Sequence, residues 1–399
     1  MRLIYVFLLF FLLLSSCKER DNENGSLTFA NFPENFNTDD ELLENYEITD
    51  QFRILAAEIA SAMDDKQLVS QIIISGIDGN NTLPAHMIRL LTQVPAGGIM
   101  LFASNLNANN DTIRGLLIDV SRLVTEESGV PPFIAVDHEG GSVNRFLAGV
   151  ASLPGASSYW HVYQQEGWDN TLEKIENDSY KAGSEIYSLG INMNFAPIAE
   201  YLVDENRVFL QYRSYGPDPF FTAHAAAAFV RGMDNAGVLS VVKHFPGSAG
   251  PDPHYYPSVF NLDLINLRFL VSPFVAVINR GVRAVMVAHT FVPQIDNVIA
   301  SLSPIVLQNW LRDELGFDGI IISDDFNMAA AGSLSPEQAA VNSLIAGTDM
   351  ILVWQHQLLS TYRTIISALN DGRLPRERLI DAASRIIYEK LRMGLMNAP

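Results

Sequence analysis

A (β/α)8 barrel is the fold class this sequence predicts, and three observations predict it. Eight short apolar runs recur along the chain, segments of helical apolar spacing separate them, and the GxGxxG fingerprint of an open dinucleotide-binding sheet is missing. The runs cover residues 71–75, 97–102, 133–136, 190–195, 239–242, 284–287, 319–322 and 349–353. Several are rich in Ile and Val, as strands covered on both faces of a parallel sheet require. Between them, residues 179–189, 222–236, 304–315 and 336–346 read as amphipathic or buried helices, and 373–395 as a closing helix.

Length and composition agree with one such body. The chain has 399 residues, 48% hydrophobic and 18% charged, and a single α/β barrel commonly occupies about 250 residues or more. No second domain, repeat or low-complexity tract is evident. Asp and Glu outnumber Lys and Arg by 45 to 26, a formal charge of −19, which opposes binding to phosphate backbones.

The residues ahead of the barrel have a different character. Arg2 precedes an unbroken apolar run over 3–14, followed by Ser15, Ser16 and Cys17. That run is too short for a bilayer span of about 20 residues, but it suits the core of a signal peptide. Leu14-Ser15-Ser16-Cys17 resembles the lipobox of bacterial lipoproteins, in which the cysteine is lipidated and becomes the new N-terminus. The expectation is a signal peptide over 1–17, a polar tether over 18–50, and the barrel over 51–399. Cys17 is the only cysteine, which rules out an internal disulfide framework and a Cys-based zinc site.

Chemistry in a barrel of this kind gathers at the C-terminal ends of the strands. Asp137, His138 and Glu139 directly follow the third run, Lys243 and His244 the fifth, His289 the sixth, and Asp324 with Asp325 the seventh. Asp324 emerges from Ile320–Ser323 at a fixed place, as a nucleophile requires; a helix-capping acid is the plainer alternative. Asp252 lies two residues before His254, and a carboxylate that orients an imidazole suits proton transfer near neutral pH. Asp137, Arg145, Arg213, Lys243 and His244 are hydrogen-bonding groups of the kind that hold sugar hydroxyls, although salt bridges within the barrel would use the same residues. A metal-dependent hydrolase with His138, Glu139, His244 and His254 as ligands is a weaker reading, for no compact metal motif is present.

Taken together, KHFPG at 243–247 with the downstream Asp252-Pro253-His254, DHEGGSVNRF at 137–146, NFAP at 194–197, RSYGPDP at 213–219, AVMVAH at 284–289 and GFDGIIISDDFNM at 316–328 resemble glycoside hydrolase family 3. Within it they resemble the single-barrel β-N-acetylglucosaminidases of the NagZ type. The resemblance spans about Met63 to Leu395, with the motifs in the family's order. It implies a retaining mechanism in which Asp324 forms a glycosyl-enzyme and His254, paired with Asp252, supplies and later recovers the proton. Asp137, Arg145, Arg213, Lys243 and His244 would hold the terminal sugar, Asp325 would act from behind the nucleophile, and His289 would support the floor. No metal or organic cofactor is expected. The expected partners are an N-acetylglucosamine-containing glycan and, through the lipid, the membrane of a bacterial cell envelope; the protein is expected to act as a monomer.

The chain departs from the family's pattern in places. Ser248 stands where a second histidine is usual after KHFPG, Pro253 sits inside the dyad, and the loop is shorter. Ser142 replaces a common arginine, and Glu200 an aspartate after NFAP. A phosphorylase, a β-glucosidase and a catalytically silent glycan-binding lipoprotein remain alternatives.

Overall fold

The computed structural model describes residues 46–146, 149–150, 152–328 and 334–396. The apolar leader, Cys17 and most of the expected tether lie outside the described residues. The first helix among the described residues, Tyr46–Ala62, begins upstream of residue 51, where the body was expected to start.

Eight parallel strands form the barrel. In chain order these are β1 (Ile73–Gly76), β2 (Gly98–Leu101), β3 (Phe133–Val136), β4 (Met193–Asn194), β5 (Leu239–Phe245), β7 (Ala284–Val287), β9 (Ile320–Ser323) and β10 (Ile351–Val353). Two further short strands, β6 (Ser258–Val259) and β8 (Thr290–Phe291), pair with each other outside the barrel. The barrel order is β10-β1-β2-β3-β4-β5-β7-β9. Closure comes from Ser323 N–H donating to Met350 O (3.0 Å) and Met350 N–H to Ile321 O (3.0 Å). Nearly every barrel-strand residue is buried, which explains why the runs read as continuous rather than alternating.

Each expected run overlaps a strand, and β3 and β7 coincide with theirs. Two differ in informative ways. The fourth run shrinks to two residues, and side chains supplement the backbone ladder around it: Ile134 N–H donates to Asn192 Oδ1 (2.8 Å) and His138 N–H to Asn194 Oδ1 (2.9 Å). The fifth was expected to end at Val242, yet β5 continues through Lys243 and His244 to Phe245. Lys243 N–H donates to Pro197 O (3.0 Å) and Ala199 N–H to Lys243 O (2.9 Å), so the backbone ladder carries two polar side chains past the apolar core.

The helices follow local rules at their starts. Asp64 and Gln67 form a reciprocal capping box, and Asn109, Asp218, Asp263 and Ser335 each cap a helix through a side-chain oxygen. Helix Trp168–Ser188 begins well before the expected residue 179, because its acidic first half buries little and hides the apolar period. Ile305–Glu314 is wound as a π-helix. Gly97 and Gly319 precede β2 and β9 where a side chain has no room: an added Cβ would lie 2.1 Å from Gln71 O and 2.2 Å from Arg283 O, respectively.

The end of the barrel opposite the strand C-termini is built for stability. Asp349 is buried among Arg312, Arg378 and Arg385. Burial alone would raise its carboxyl, but these guanidiniums hold it below the usual range. Lys390, from helix Arg376–Arg392, is also fully buried, with Nζ donating to Gln71 Oε1 (2.9 Å) and Gly97 O (3.0 Å). No carboxylate is among these partners, and burial pushes its pKa down to about 7.

Candidate active site

At the C-terminal rim, strand ends and following loops surround a cavity of about 520 Å³. Asp137 follows β3, Lys243 and His244 end β5, His289 lies just past β7, and Asp324 follows β9. All five line the cavity, together with Arg145, Arg213, His254 and Asp325 from the loops. Asp252 reaches it through His254. Residues spread over nearly two hundred positions are thus gathered by parallel strands that all present the same end.

One wall is an ion cluster. Lys243 Nζ lies 2.8 Å from Asp137 Oδ1 and 2.6 Å from Glu139 Oε1. Arg145 Nη2 lies 3.2 Å from Asp137 Oδ2, and Arg213 grips Glu139 with two bonds of 2.9 Å. Three cations therefore face two carboxylates. Burial by itself would raise both acids, but Lys243 with Arg145 at Asp137, and Lys243 with Arg213 at Glu139, hold each below its ordinary value. Burial would lower Lys243, and its two carboxylates keep it above the usual lysine range. The cluster stays ionised around neutral pH and offers fixed donors and acceptors to a polyhydroxylated ligand.

His244 is oriented from below. Glu200, fully buried, accepts from His244 N–H (3.1 Å), His244 Nδ1 (2.7 Å), Ser248 N–H (2.5 Å) and Ser248 Oγ (3.3 Å). Because Nδ1 is committed to the carboxylate, Nε2 is the ring nitrogen left to serve the cavity. Ser248, the substitution noted in the motif, supplies two of the four hydrogen bonds that Glu200 accepts.

Asp252 and His254 form the expected pair. Asp252 Oδ1 accepts from His254 N–H (3.0 Å) and lies 2.6 Å from Nδ1. Burial would raise the Asp252 carboxyl, while the His254 N–H groups lower it more. His254 is exposed yet lines the cavity, as a proton carrier exchanging with water requires. Asp324 Oδ1 accepts from Asp325 N–H (2.8 Å). Asp325 is itself committed: Oδ1 takes Asn327 N–H (2.9 Å) and Oδ2 takes Trp354 Nε1 (2.5 Å). His289 lies stacked on Phe326, with rings 4.7 Å apart, and Nδ1 is 2.7 Å from Ser301 Oγ. Burial lowers its pKa, although Asp324 pulls the other way, and this favours a neutral ring.

The metal-dependent reading meets opposing chemistry. The Glu139 oxygens hold Lys243 and Arg213, and His244 and His254 each commit Nδ1 to a carboxylate. Among the described residues no group of three or more His, Cys, Asp or Glu is arranged to hold a metal.

Sequence reasoning undervalued Glu139 and Glu200, and it missed Trp354, Phe102 and Ser248 as parts of the site. Glu139 was visible as the third residue past β3, but its role depends on Arg213, 74 positions away. Trp354 stacks on Phe102 at 4.7 Å and only 3° from parallel, joining the ends of β10 and β2, which adjoin β1 on either side. A tryptophan directly after the eighth run was the available signal.

The comparisons with known proteins agree with this geometry. Residues 66–388 match the model for the glycosyl hydrolase family 3 N terminal domain. A β-hexosaminidase from Stenotrophomonas maltophilia (strain K279a) is 34% identical over 292 residues, 72% of this chain and 84% of that protein. The solved structure of a family 3 β-N-acetylglucosaminidase from Paenibacillus sp. str. FPU-7 is 31% identical with a TM-score of 0.79, covering 85% of this chain; this chain spans 64% of that longer one. NagZ from Neisseria gonorrhoeae, solved in complex with N-trifluoroacetyl-D-glucosamine, is 29% identical with a TM-score of 0.68, covering 79% of this chain and 89% of that one. With its barrel and the match over residues 66–388, the chain belongs to glycosyl hydrolase family 3 and is a glycoside hydrolase of the β-hexosaminidase type.

Proposed function

We propose that this protein is a retaining, exo-acting β-N-acetylglucosaminidase that removes terminal N-acetylglucosamine from peptidoglycan fragments or chitin-type oligosaccharides. The observation that carries the reading is one cavity lined by Asp324, by the Asp252-held His254 and by the ion cluster around Lys243. Asp137, Arg145, Arg213, Lys243 and His244 hold the hydroxyls of the terminal sugar. Asp324 attacks the anomeric carbon as the glycosidic C–O bond breaks, and protonated His254 gives its proton to the leaving oxygen. Neutral His254 then takes a proton from water, whose oxygen displaces Asp324 and releases the sugar with overall retention. The preference for a 2-acetamido group is supported by the N-acylated glucosamine bound in the Neisseria relative. We also propose that lipid on Cys17 holds the protein at the cell envelope, on the strength of the lipobox-like Leu14–Cys17; loss of fatty-acid labelling in Cys17→Ala would test it.

A panel of aryl β-glycosides differing only at C2 tests the activity. The N-acetylglucosaminide should be cleaved in preference to the glucoside, and Asp324→Ala should abolish turnover without changing the circular dichroism. Absence of turnover by the unmodified protein would favour a glycan-binding role. Sugar 1-phosphate as the main product in phosphate buffer would make it a phosphorylase.

A further inference from the structure

The segment that carries the proton donor also carries two adjacent tyrosines in water. Asp252 anchors all three residues: its carboxylate takes the His254 N–H and Nδ1, and its carbonyl takes the N–H groups of Tyr255 (3.0 Å) and Tyr256 (3.1 Å). Tyr255 is 76% exposed and Tyr256 54% exposed. The Tyr255 ring centroid lies 6.4 Å from that of His254, with the planes inclined by 51°. The same chain fully buries Phe245, Phe260 and Phe274 close by in sequence, whereas the Tyr255 ring stays in water, open to a partner from outside the fold.

The chemistry of His254 says what such a partner is. With Nδ1 held by Asp252, the transferable proton sits on Nε2, and its destination is the oxygen that joins the terminal sugar to the remainder of the substrate. That oxygen must come within about 3 Å of Nε2 during reaction. The leaving group begins there and extends away from the enclosed terminal sugar toward solvent, which brings its first ring about as far from the imidazole as the Tyr255 ring is. A pyranose presents a face of C–H bonds, and an exposed tyrosine ring matches that face by apolar burial and by the negative charge of its π cloud.

We propose that Tyr255 is the platform on which the first sugar of the leaving group stacks, so that the enzyme selects a saccharide leaving group over a small alcohol. The inference rests on the reading of His254 as the acid/base. Contact made beyond the broken bond aligns the bridging oxygen with His254, so its benefit appears in kcat/KM for glycans and not for substrates that lack the second ring.

The test compares the β-1,4-linked disaccharide of N-acetylglucosamine with methyl β-N-acetylglucosaminide, using Tyr255→Ala and Tyr255→Phe in the full chain. Both leaving groups are alkyl alcohols, so their ratio of kcat/KM isolates the second ring. Tyr255→Ala should lower that ratio roughly five- to tenfold, and Tyr255→Phe, which keeps the ring, should hold it within about twofold. An unchanged ratio in Tyr255→Ala would overturn the proposal, and so would an equal loss on both substrates, which would make the ring a support for the His254 segment. Failure of the unmodified protein to cleave either glycoside would instead overturn the hydrolase reading, and this proposal with it.

Discussion

Asp252 Oδ1 lies 2.6 Å from His254 Nδ1 while also accepting the backbone N–H of the same residue, so one carboxylate oxygen sets both the position and the tautomer of the imidazole. Asp252→Asn keeps the shape but removes the charge that stabilises the protonated ring. For a methyl or saccharide leaving group kcat should fall by about 10²-fold. For a dinitrophenyl leaving group, which departs without a proton, the first step should change little. A similar loss with both leaving groups would show that Asp252 only supports the loop.

The ion cluster predicts a contrast between two cations. Lys243 is almost fully buried between Asp137 and Glu139, and Lys243→Met would leave two buried carboxylates short of a counter-charge at a cost of about 3–5 kcal/mol. Arg145 is one-third exposed and makes a single 3.2 Å contact, so Arg145→Ala should cost under about 1 kcal/mol. Both should raise KM for the glycan. Denaturant midpoints measured beside the kinetics separate the two effects; equal stability losses would contradict the burial argument.

Lys390 predicts a pH dependence of stability far from the active site. Its pKa falls from 10.5 to about 7 on folding. Between those values the unfolded chain holds the proton and the folded chain does not, so stability rises with pH through the window. Below pH 7 the full cost of the buried charge is present. Lys390→Met removes this term, so the Tm of the native chain relative to the variant should climb by roughly 3–6 °C between pH 6 and pH 9. Parallel Tm curves would show that the amine is not neutral in the fold.

The barrel was legible because parallel strands buried on both faces leave uninterrupted apolar text, and because charged residues can follow such runs only where the chain leaves the core. Asp137, Lys243, His244 and Asp324 were found by that rule. It misplaced the end of β5, since a strand can carry a lysine and a histidine when a carboxylate cluster receives the amine and Glu200 the imidazole. It also shortened helix Trp168–Ser188, whose acidic first half gives no apolar period.

By itself, then, the order of residues determined the architecture, the rim on which polar groups gather, and the local Asp252–His254 pair, because each depends on contacts near in sequence or on a simple apolar period. The tertiary structure decided which polar groups pair with one another. Lys243 meets Asp137 from 106 positions away, Arg213 meets Glu139 from 74, and His244 meets Glu200 from 44. Such pairings depend on which strand ends become neighbours when the sheet closes, and no local pattern encodes that. The fold also leaves Tyr255, the chain neighbour of His254, open to water, and an exposure of that kind is not written in residue identity.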